Sequence, residues 1–364
     1  MKRKLNNLLV AASGTGGHIF PALTISNDIH KNWNIIWLGV KNRCEVNLVP
    51  KKFKLLTLNL EAPRGKNIIL ILNYLKVLLA SIKVFEIIYK RKINLVFTTG
   101  GYISAPSIIA AKLLNIPVIL HESNLVPGLV TKYLGRYCNF VLTGFEETNS
   151  YLKGCKTIYT GTPLRDEFYL DNVMPNWVPD GEKPLIVIMG GSQGSKIINE
   201  SIFNLFDFLV DNFRIIHIYG NSLVPKLLKK TNKNYISLDF TNEVASLMQN
   251  CDLIISRSGS GSINEIINSK TPSILIPYPN AKNNHQEKNA LYLSSKGGTI
   301  MIKQNKDLEK NLENNLKRIF KTDIKNKNNK YPIIELMKKN IGQLSLKNHR
   351  KEIKIIINSY NNIF

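Results

Sequence analysis

Leu8-Leu-Val-Ala-Ala-Ser-Gly-Thr-Gly-Gly-His-Ile-Phe-Pro21 and Leu185-Ile-Val-Ile-Met-Gly-Gly-Ser-Gln-Gly-Ser195 decide the fold between them. Each is a short run of aliphatic residues with no polar alternation, closed abruptly by glycines. Unbroken apolar runs of this length predict strands covered on both faces, as in a parallel sheet. Glycines directly behind such a strand predict a tight turn into a helix, with backbone N–H groups left exposed at the helix start. The same opening at the start and in the middle of the chain predicts two similar halves.

With these two, strands are expected at Leu8–Ala12, Ile35–Leu38, Leu95–Thr98, Val118–Leu120, Phe140–Leu142, Leu185–Met189, Ile215–Tyr219, Leu253–Ser256 and Ser273–Ile276. Helical patterns lie between them, with a helix start placed at Pro21-Ala22-Leu23. Strands alternating with helices predict an α/β class, here two Rossmann-like doubly wound domains facing across a cleft. Leu170 to Pro184 is rich in proline and aspartate and lacks periodicity. The expected division is 1–164, 165–340, and a C-terminal helical segment 341–364 packing back on the first domain. Residues 303–330 read as polar and helical, and Glu352–Phe364 carries an apolar helical pattern.

The 364 residues favour two domains, and 44% hydrophobic with 21% charged residues excludes a disordered or fibrous chain. Cys44, Cys138, Cys155 and Cys251 are too scattered for a disulfide framework or a paired-cysteine metal site, so a reduced compartment is expected. A formal net charge of +23 suits polyanions, whether nucleic acid, anionic lipid or phosphorylated substrates. Lysine, asparagine and isoleucine crowd the whole chain, so part of that charge reads as compositional background. Met1-Lys-Arg-Lys4 ahead of Leu8–Ala12 has too short an apolar stretch for a signal peptide, and no run of 18 apolar residues predicts a membrane span.

Four glycine-rich turns carry the chemistry. Ser13 to His18 follows the first strand, Gly100-Gly-Tyr-Ile-Ser-Ala-Pro106 the third, and Gly190 to Ser195 the first strand of the second half. Ser256-Arg-Ser-Gly-Ser-Gly-Ser262 then leads into Ile263-Asn-Glu265. None matches GxGxxG or a Walker loop. A single such turn can also be a plain strand-to-helix connection. Four of them at the carboxyl ends of strands predict a phosphorylated ligand. Glu265, one turn inside its helix, is placed to accept both hydroxyls of a ribose, or else merely complements the helix dipole.

These residues together resemble the MurG glycosyltransferase family of peptidoglycan synthesis. The matching stretches are Gly14–Pro21, Gly100–Pro106, His121-Glu-Ser-Asn124 with Pro127-Gly128, Gly161-Thr-Pro-Leu-Arg165, Gly190–Gly194, Arg257-Ser-Gly259 with Glu265, and His285-Gln286 with Asn289-Ala290. They are collinear to about residue 300. Mild departures are Ser123 where glutamine is usual, Thr162 in place of asparagine, and the small Ser260-Gly261-Ser262.

The resemblance implies a GT-B fold and inverting transfer of GlcNAc from UDP-GlcNAc to the 4-hydroxyl of MurNAc in undecaprenyl-pyrophosphoryl-MurNAc-pentapeptide. It places Thr15, Gly16 and Gly17 against the sugar-phosphate region and Asn124 on the transferred sugar. Arg165 and Ser192 approach the donor's phosphates or ribose, and Thr241, beside Phe240, lines the uracil pocket. Ser260, Gly261, Ser262, Ile263, Asn264 and Glu265 cover diphosphate and ribose, while Gln286 and Asn289 read GlcNAc hydroxyls.

His18 is the expected base, because a neutral imidazole accepts a proton near pH 7. A histidine that only hydrogen-bonds substrate or backbone is the alternative, and His121 and Glu122 are weaker candidates that brace the loop. No Asp-x-Asp pair occurs in the sequence, so no obligatory metal or other cofactor is expected.

Asn67 to Lys92 is apolar with basic flanks, which suits a helix lying on an anionic lipid surface or one buried on the sheet. The family implies a peripheral position on the cytoplasmic face of the cell inner membrane and other cell-wall synthesis proteins as partners. Two alternatives stay open on sequence: a UDP-GlcNAc 2-epimerase-like enzyme, and a non-catalytic basic lipid- or nucleic-acid-binding module. The latter lacks interleaved aromatic and basic residues, so no nucleic-acid partner is expected. An NAD-dependent oxidoreductase lacks its GxGxxG.

Overall fold

Two parallel sheets organise the chain, and each gathers its own helices. The computed structural model describes residues 5–14, 16–43, 45–60, 68–191, 194–222, 230–321, 331–344 and 349–362. Two compact units result: Met1–Arg165 with Lys347–Phe364, and Asp166–Leu346.

The first unit holds strands β1 (Asn6–Ala11), β2 (Trp33–Val40), β3 (Lys54–Leu58), β4 (Ile93–Thr98), β5 (Val118–Glu122), β6 (Phe140–Thr143) and β7 (Thr157–Tyr159). Helices α1 (Gly16–Ile29), α2 (Glu45–Leu48), α3 (Ile68–Lys90), α4 (Ser104–Leu113) and α5 (Leu129–Leu134) connect them. The strand order is β3-β2-β1-β4-β5-β6-β7, all parallel. Leu8, Leu9, Val10, Leu95, Val96 and Phe97 are fully buried, as strands covered on both faces require.

The second unit holds β8 (Leu185–Met189), β9 (Arg214–Ile218), β10 (Tyr235–Leu238), β11 (Leu253–Ser256), β12 (Ser273–Leu275) and β13 (Thr299–Met301). Their order is β10-β9-β8-β11-β12-β13, again parallel. Its helices are α6 (Lys196–Asn204), α7 (Phe206–Asn212), α8 (Val244–Asn250), α9 (Ser260–Ser269), α10 (His285–Ser295), α11 (Leu308–Ile319) and α12 (Pro332–Gly342). Helix α11 shows why such segments dock: Leu308, Leu312, Leu316 and Ile319 recur at helical spacing and are buried, while Lys310, Lys317 and Arg318 stay outside.

The chain then returns to the first unit as α13 (His349–Ser359). Ile353 and Ile357 enter the core beneath α1, and Trp33 Nε1 donates to Asn358 Oδ1 at 3.0 Å. Arg350 forms a two-pronged ion pair with Asp28 of α1, at 2.6 and 2.5 Å.

Three expectations need correction. Helix α1 begins at Gly16, and Pro21 lies inside it; burial of Ile19, Ala22 and Ile25 carries the helix through a residue that supplies no N–H. His121 and Glu122 are the last two residues of β5, paired with Leu142 and Thr143, and do not follow it. The polar stretch 303–330 is helical at Leu308–Ile319, and its residues 322–330 lie outside the described ones.

Candidate active site

In a doubly wound sheet the chain leaves neighbouring strands in opposite directions at one point, and the loops there splay apart to leave a crevice. In the first unit that point lies between β1 and β4, and in the second between β8 and β11. The loops following those four strands are the four glycine-rich turns of the sequence.

In the first unit the turn after β1 runs into α1, whose first turn carries Gly16, Gly17 and His18, all half-buried. Thr15 lies outside the described residues. Nδ1 of His18 is 2.6 Å from the Thr99 carbonyl oxygen, and Thr99 Oγ1 donates to the His18 carbonyl at 2.8 Å. Gly100 and Gly101 follow with φ of +83° and +75°. A side chain on either would stand 3.6 to 3.7 Å from the imidazole. Both glycines serve the left-handed backbone that L side chains rarely adopt. Ser104 Oγ donates to the Gly100 carbonyl at 2.6 Å and fixes the turn.

Glu122 is buried beside it and accepts four hydrogen bonds. Oε1 takes the Asn124 backbone N–H and side-chain amide, both at 3.1 Å. Oε2 takes the Gly128 N–H at 3.0 Å and the Thr131 hydroxyl at 2.7 Å. His121 is fully buried between the Gly161 carbonyl, 2.8 Å from Nε2, and Ser123 Oγ, 3.2 Å from Nδ1. Burial pulls its pKa down, only partly offset by the Gly161 hydrogen bond and the Glu122 charge. Through these bonds both side chains brace the Ser123–Asn124 loop. Arg165 belongs to this unit, its guanidinium 5.3 Å from the centre of the Phe20 ring.

In the second unit Gly190 packs so closely on Ser195 N that a Cβ there would stand 2.3 Å away. Ser192 lies outside the described residues. Ser195 caps α6 and receives a hydrogen bond at 2.7 Å from Arg257, on the loop after β11. Arg257 is buried, donates also to the Ile276 and Pro277 carbonyls at 2.9 and 3.2 Å, and lies over the Tyr278 ring. Burial pulls its pKa down to about 10, so it remains a cation at neutral pH. Sequence reasoning assigned it no role; its signal was a single arginine at the end of an apolar strand.

Gly259 precedes α9 in extended conformation, so the backbone N–H groups of Ser260, Gly261 and Ser262 open the helix. Ile263 and Asn264 instead turn inward. The Ile263 N–H bonds the Gly259 carbonyl at 3.0 Å, and the Asn264 amide bonds the Ser260 carbonyl at 2.8 Å. Glu265 is half-buried on the same helix. Gln286 accepts from Tyr278 N at 2.9 Å, and its carbonyl takes the Ser258 hydroxyl at 2.7 Å. Asn289 is fully buried with its amide on the Ser258 carbonyl at 3.2 Å. Gln286 and Asn289 thus both hold the Ser258 loop. Thr241 follows β10, beside an exposed Phe240, and accepts from Glu243 N at 3.1 Å.

Helix α3 buries Ala80, Ser81, Val84 and Ile88 and leaves Leu75, Leu78, Leu79, Ile82 and Tyr89 exposed, among Lys76, Lys83 and Lys90. Among the described residues no helix is long and apolar enough to cross a membrane, and none group as three or more possible metal ligands.

Two doubly wound parallel units, each with donor-rich turns at its switch point, are the frame of GT-B glycosyltransferases. The glycosyltransferase family 28 N-terminal domain matches residues 8–143, and the family 28 C-terminal domain matches residues 185–350. The chain belongs to glycosyltransferase family 28.

It is 58% identical over 361 residues to the UDP-N-acetylglucosamine–N-acetylmuramyl-(pentapeptide) pyrophosphoryl-undecaprenol N-acetylglucosamine transferase of Prochlorococcus marinus subsp. pastoris strain MED4, covering 99% of each chain. The transferase of the same name from P. marinus strain MIT 9312 is 56% identical over 98% of each chain. The fold matches that of Acinetobacter baumannii MurG with a TM-score of 0.75 at 22% identity, over 97% of this chain and 99% of that one.

Proposed function

We propose that this family 28 glycosyltransferase moves GlcNAc from UDP-GlcNAc to the 4-hydroxyl of MurNAc in undecaprenyl-pyrophosphoryl-MurNAc-pentapeptide, with inversion. The observation that carries this is 58% identity over nearly the whole length to a transferase of that name. Inversion needs a base at the acceptor oxygen and positive potential at the departing diphosphate.

In the first unit we assign the base to His18. A carbonyl only accepts, so the Thr99 contact fixes the proton on Nδ1 and leaves the lone pair on Nε2. Asn124, held by Glu122, would meet the transferred sugar, and Thr15, Gly16 and Gly17 its phosphate side. In the second unit the opening N–H groups of α9 supply partial positive charge for the diphosphate, with Ser192 near it. Arg257 holds the two loops together and adds a fixed positive charge behind them. Glu265 would take the ribose diol, Thr241 the uracil, and Gln286 the GlcNAc hydroxyls.

With helix dipoles and a buried guanidinium available, the departing diphosphate needs no metal here. The exposed apolar and basic face of α3 fits an anionic lipid surface, where a polyprenyl-linked acceptor resides. We place the enzyme there as a peripheral protein, on the cytoplasmic side.

The test is UDP release from UDP-GlcNAc, with and without the lipid-linked MurNAc acceptor, in EDTA. Acceptor-dependent release that survives EDTA supports the proposal. Release without acceptor, or conversion of the donor to a ManNAc product, refutes it in favour of an epimerase.

A further inference from the structure

A histidine in the middle of a parallel sheet is out of place among isoleucines, and His217 of β9 is such a residue. It is fully buried, between strands β8 and β10. Both ring nitrogens are engaged: Nδ1 lies 2.8 Å from the Tyr235 hydroxyl and Nε2 lies 3.0 Å from Asn199 Oδ1. The amide of Asn199, also fully buried, donates onward to the Tyr219 carbonyl at 3.1 Å and the Ser222 carbonyl at 2.7 Å.

The direction of this chain is fixed by its far end. Two carbonyls can only accept, so Asn199 must turn its nitrogen toward them and its oxygen toward His217. An amide oxygen can only accept as well, so Nε2 carries the ring proton. Nδ1 then receives the Tyr235 hydroxyl. Every donor and acceptor in the series has a partner, as a buried polar network requires.

What the relay holds is a turn, and that turn touches another. A Cβ on Gly194 would stand 2.2 Å from the Tyr219 carbonyl and 3.2 Å from Gly220 Cα. The turn after β8 therefore rests directly on the turn after β9. Asn199 sits one helical turn beyond Ser195, its N–H on the Ser195 carbonyl at 2.9 Å, and Ser195 is the partner of Arg257.

We propose that His217 is a positioning residue for the donor site: through Asn199 it sets the Tyr219–Ser222 turn, and with it the Gly194–Ser195 turn and the Arg257 loop. It touches no substrate. This rests on the reading that the second unit binds the UDP donor. The imidazole is built to stay neutral, since burial pulls its pKa down from 6.5 to about 4. A protonated ring would reverse the Tyr235 hydrogen bond, Nδ1 donating to the phenol oxygen, and would leave a charge buried in the sheet.

The test uses the full chain with UDP as probe, measured by calorimetry, together with donor KM and kcat. Asn199→Asp still accepts from His217 but cannot donate to the two carbonyls. Its UDP Kd and donor KM are expected to rise about 10-fold, equivalent to about 1.4 kcal/mol, with kcat at saturating donor within about 3-fold. His217→Phe is expected to do the same, and His217→Gln, which keeps an N–H for Asn199, to recover most of the affinity. Should His217→Phe fail to fold, Tyr235→Phe removes one hydroxyl alone and is expected to raise KM by 2- to 3-fold (~0.5 kcal/mol). A loss of folded fraction that lowers kcat while KM and UDP Kd stay at wild-type values overturns the proposal. Wild-type protein that binds no UDP overturns the underlying reading instead.

Discussion

Nδ1 of His18 stands 2.6 Å from the carbonyl oxygen of Thr99, and this bond spans the switch point between β1 and β4. It fixes the tautomer, aims the imidazole, and ties the first glycine turn to the second. In the other unit Arg257 and Ser195 make the corresponding link between the loops of β11 and β8. The same topological position is thus bridged in each sheet. If His18 is the base, His18→Gln, which can still bond Thr99, should lower kcat by about 10²- to 10³-fold. UDP affinity should change less than 2-fold, since the donor's nucleotide is assigned to the other unit. Equal losses in kcat and UDP affinity would instead make His18 a binding residue.

Gly101 tests the same geometry from the opposite side. Its φ of +75° strains any L side chain, and a Cβ would lie 3.7 Å from His18 Nε2. Gly101→Ala should cost about 1–2 kcal/mol of stability in the first unit. It should also reduce kcat more than it raises donor KM, because the strained turn follows directly on Thr99, whose carbonyl aims the imidazole.

Glu122 accepts four hydrogen bonds with two oxygens, so a glutamine there cannot replace it. Glu122→Gln presents an NH2 to two donors and leaves them unpaired in a buried site. A loss of about 2–3 kcal/mol in unfolding free energy is expected, together with a lower acceptor-dependent rate as Asn124 shifts. Unchanged stability would mean that the loop takes its shape from elsewhere.

The pattern of what the sequence made legible follows the position of each strand in its sheet. All nine expected strands exist, and they are the interior ones. The four that escaped notice, β3, β7, β10 and β13, are the four sheet edges. An interior strand must be apolar on both faces, and that gives a readable run such as Leu185–Met189. An edge strand such as Lys54-Leu-Leu-Thr-Leu58 is partly exposed, and Thr157–Tyr159 is only three residues long. The glycine turns were legible because turn and close approach demand that residue type. The partners of these turns were not: Thr99, Ser195 and His217 meet their loops only through pairing across the sheet, which no local spacing encodes.

Asp28 and Arg350 offer a separate check on how the chain's end supports the site. The pair is mostly buried, the side chains 16% and 20% exposed with Asp28 the more so, and it joins α13 to the helix that carries His18. Removing one partner of such a pair leaves the other charge uncompensated. Arg350→Met should cost about 2 kcal/mol, read as a first-unit Tm lowered by roughly 4–8 °C. Restoring stability with Asp28→Asn in the same chain would confirm that the stranded carboxylate was the cause.

Acid sensitivity should be measurable in the second unit. His217 has its pKa lowered from 6.5 to about 4 by burial, so between those values the unfolded chain binds a proton that the folded chain refuses. Stability must then rise with pH in this window, be complete above about 6.5, and be lost as pH falls toward 4. The rings of Tyr235 and Tyr219 pack edge-on beside the imidazole, and burial is what lowers its pKa. A gap of that size corresponds to about 3 kcal/mol. His121, lowered by burial in the first unit, adds a loss of the same sign. Urea unfolding of the second unit from pH 7 to pH 4 should show this slope, and His217→Phe should flatten it. A slope that survives the substitution would place the acid-sensitive proton on another group.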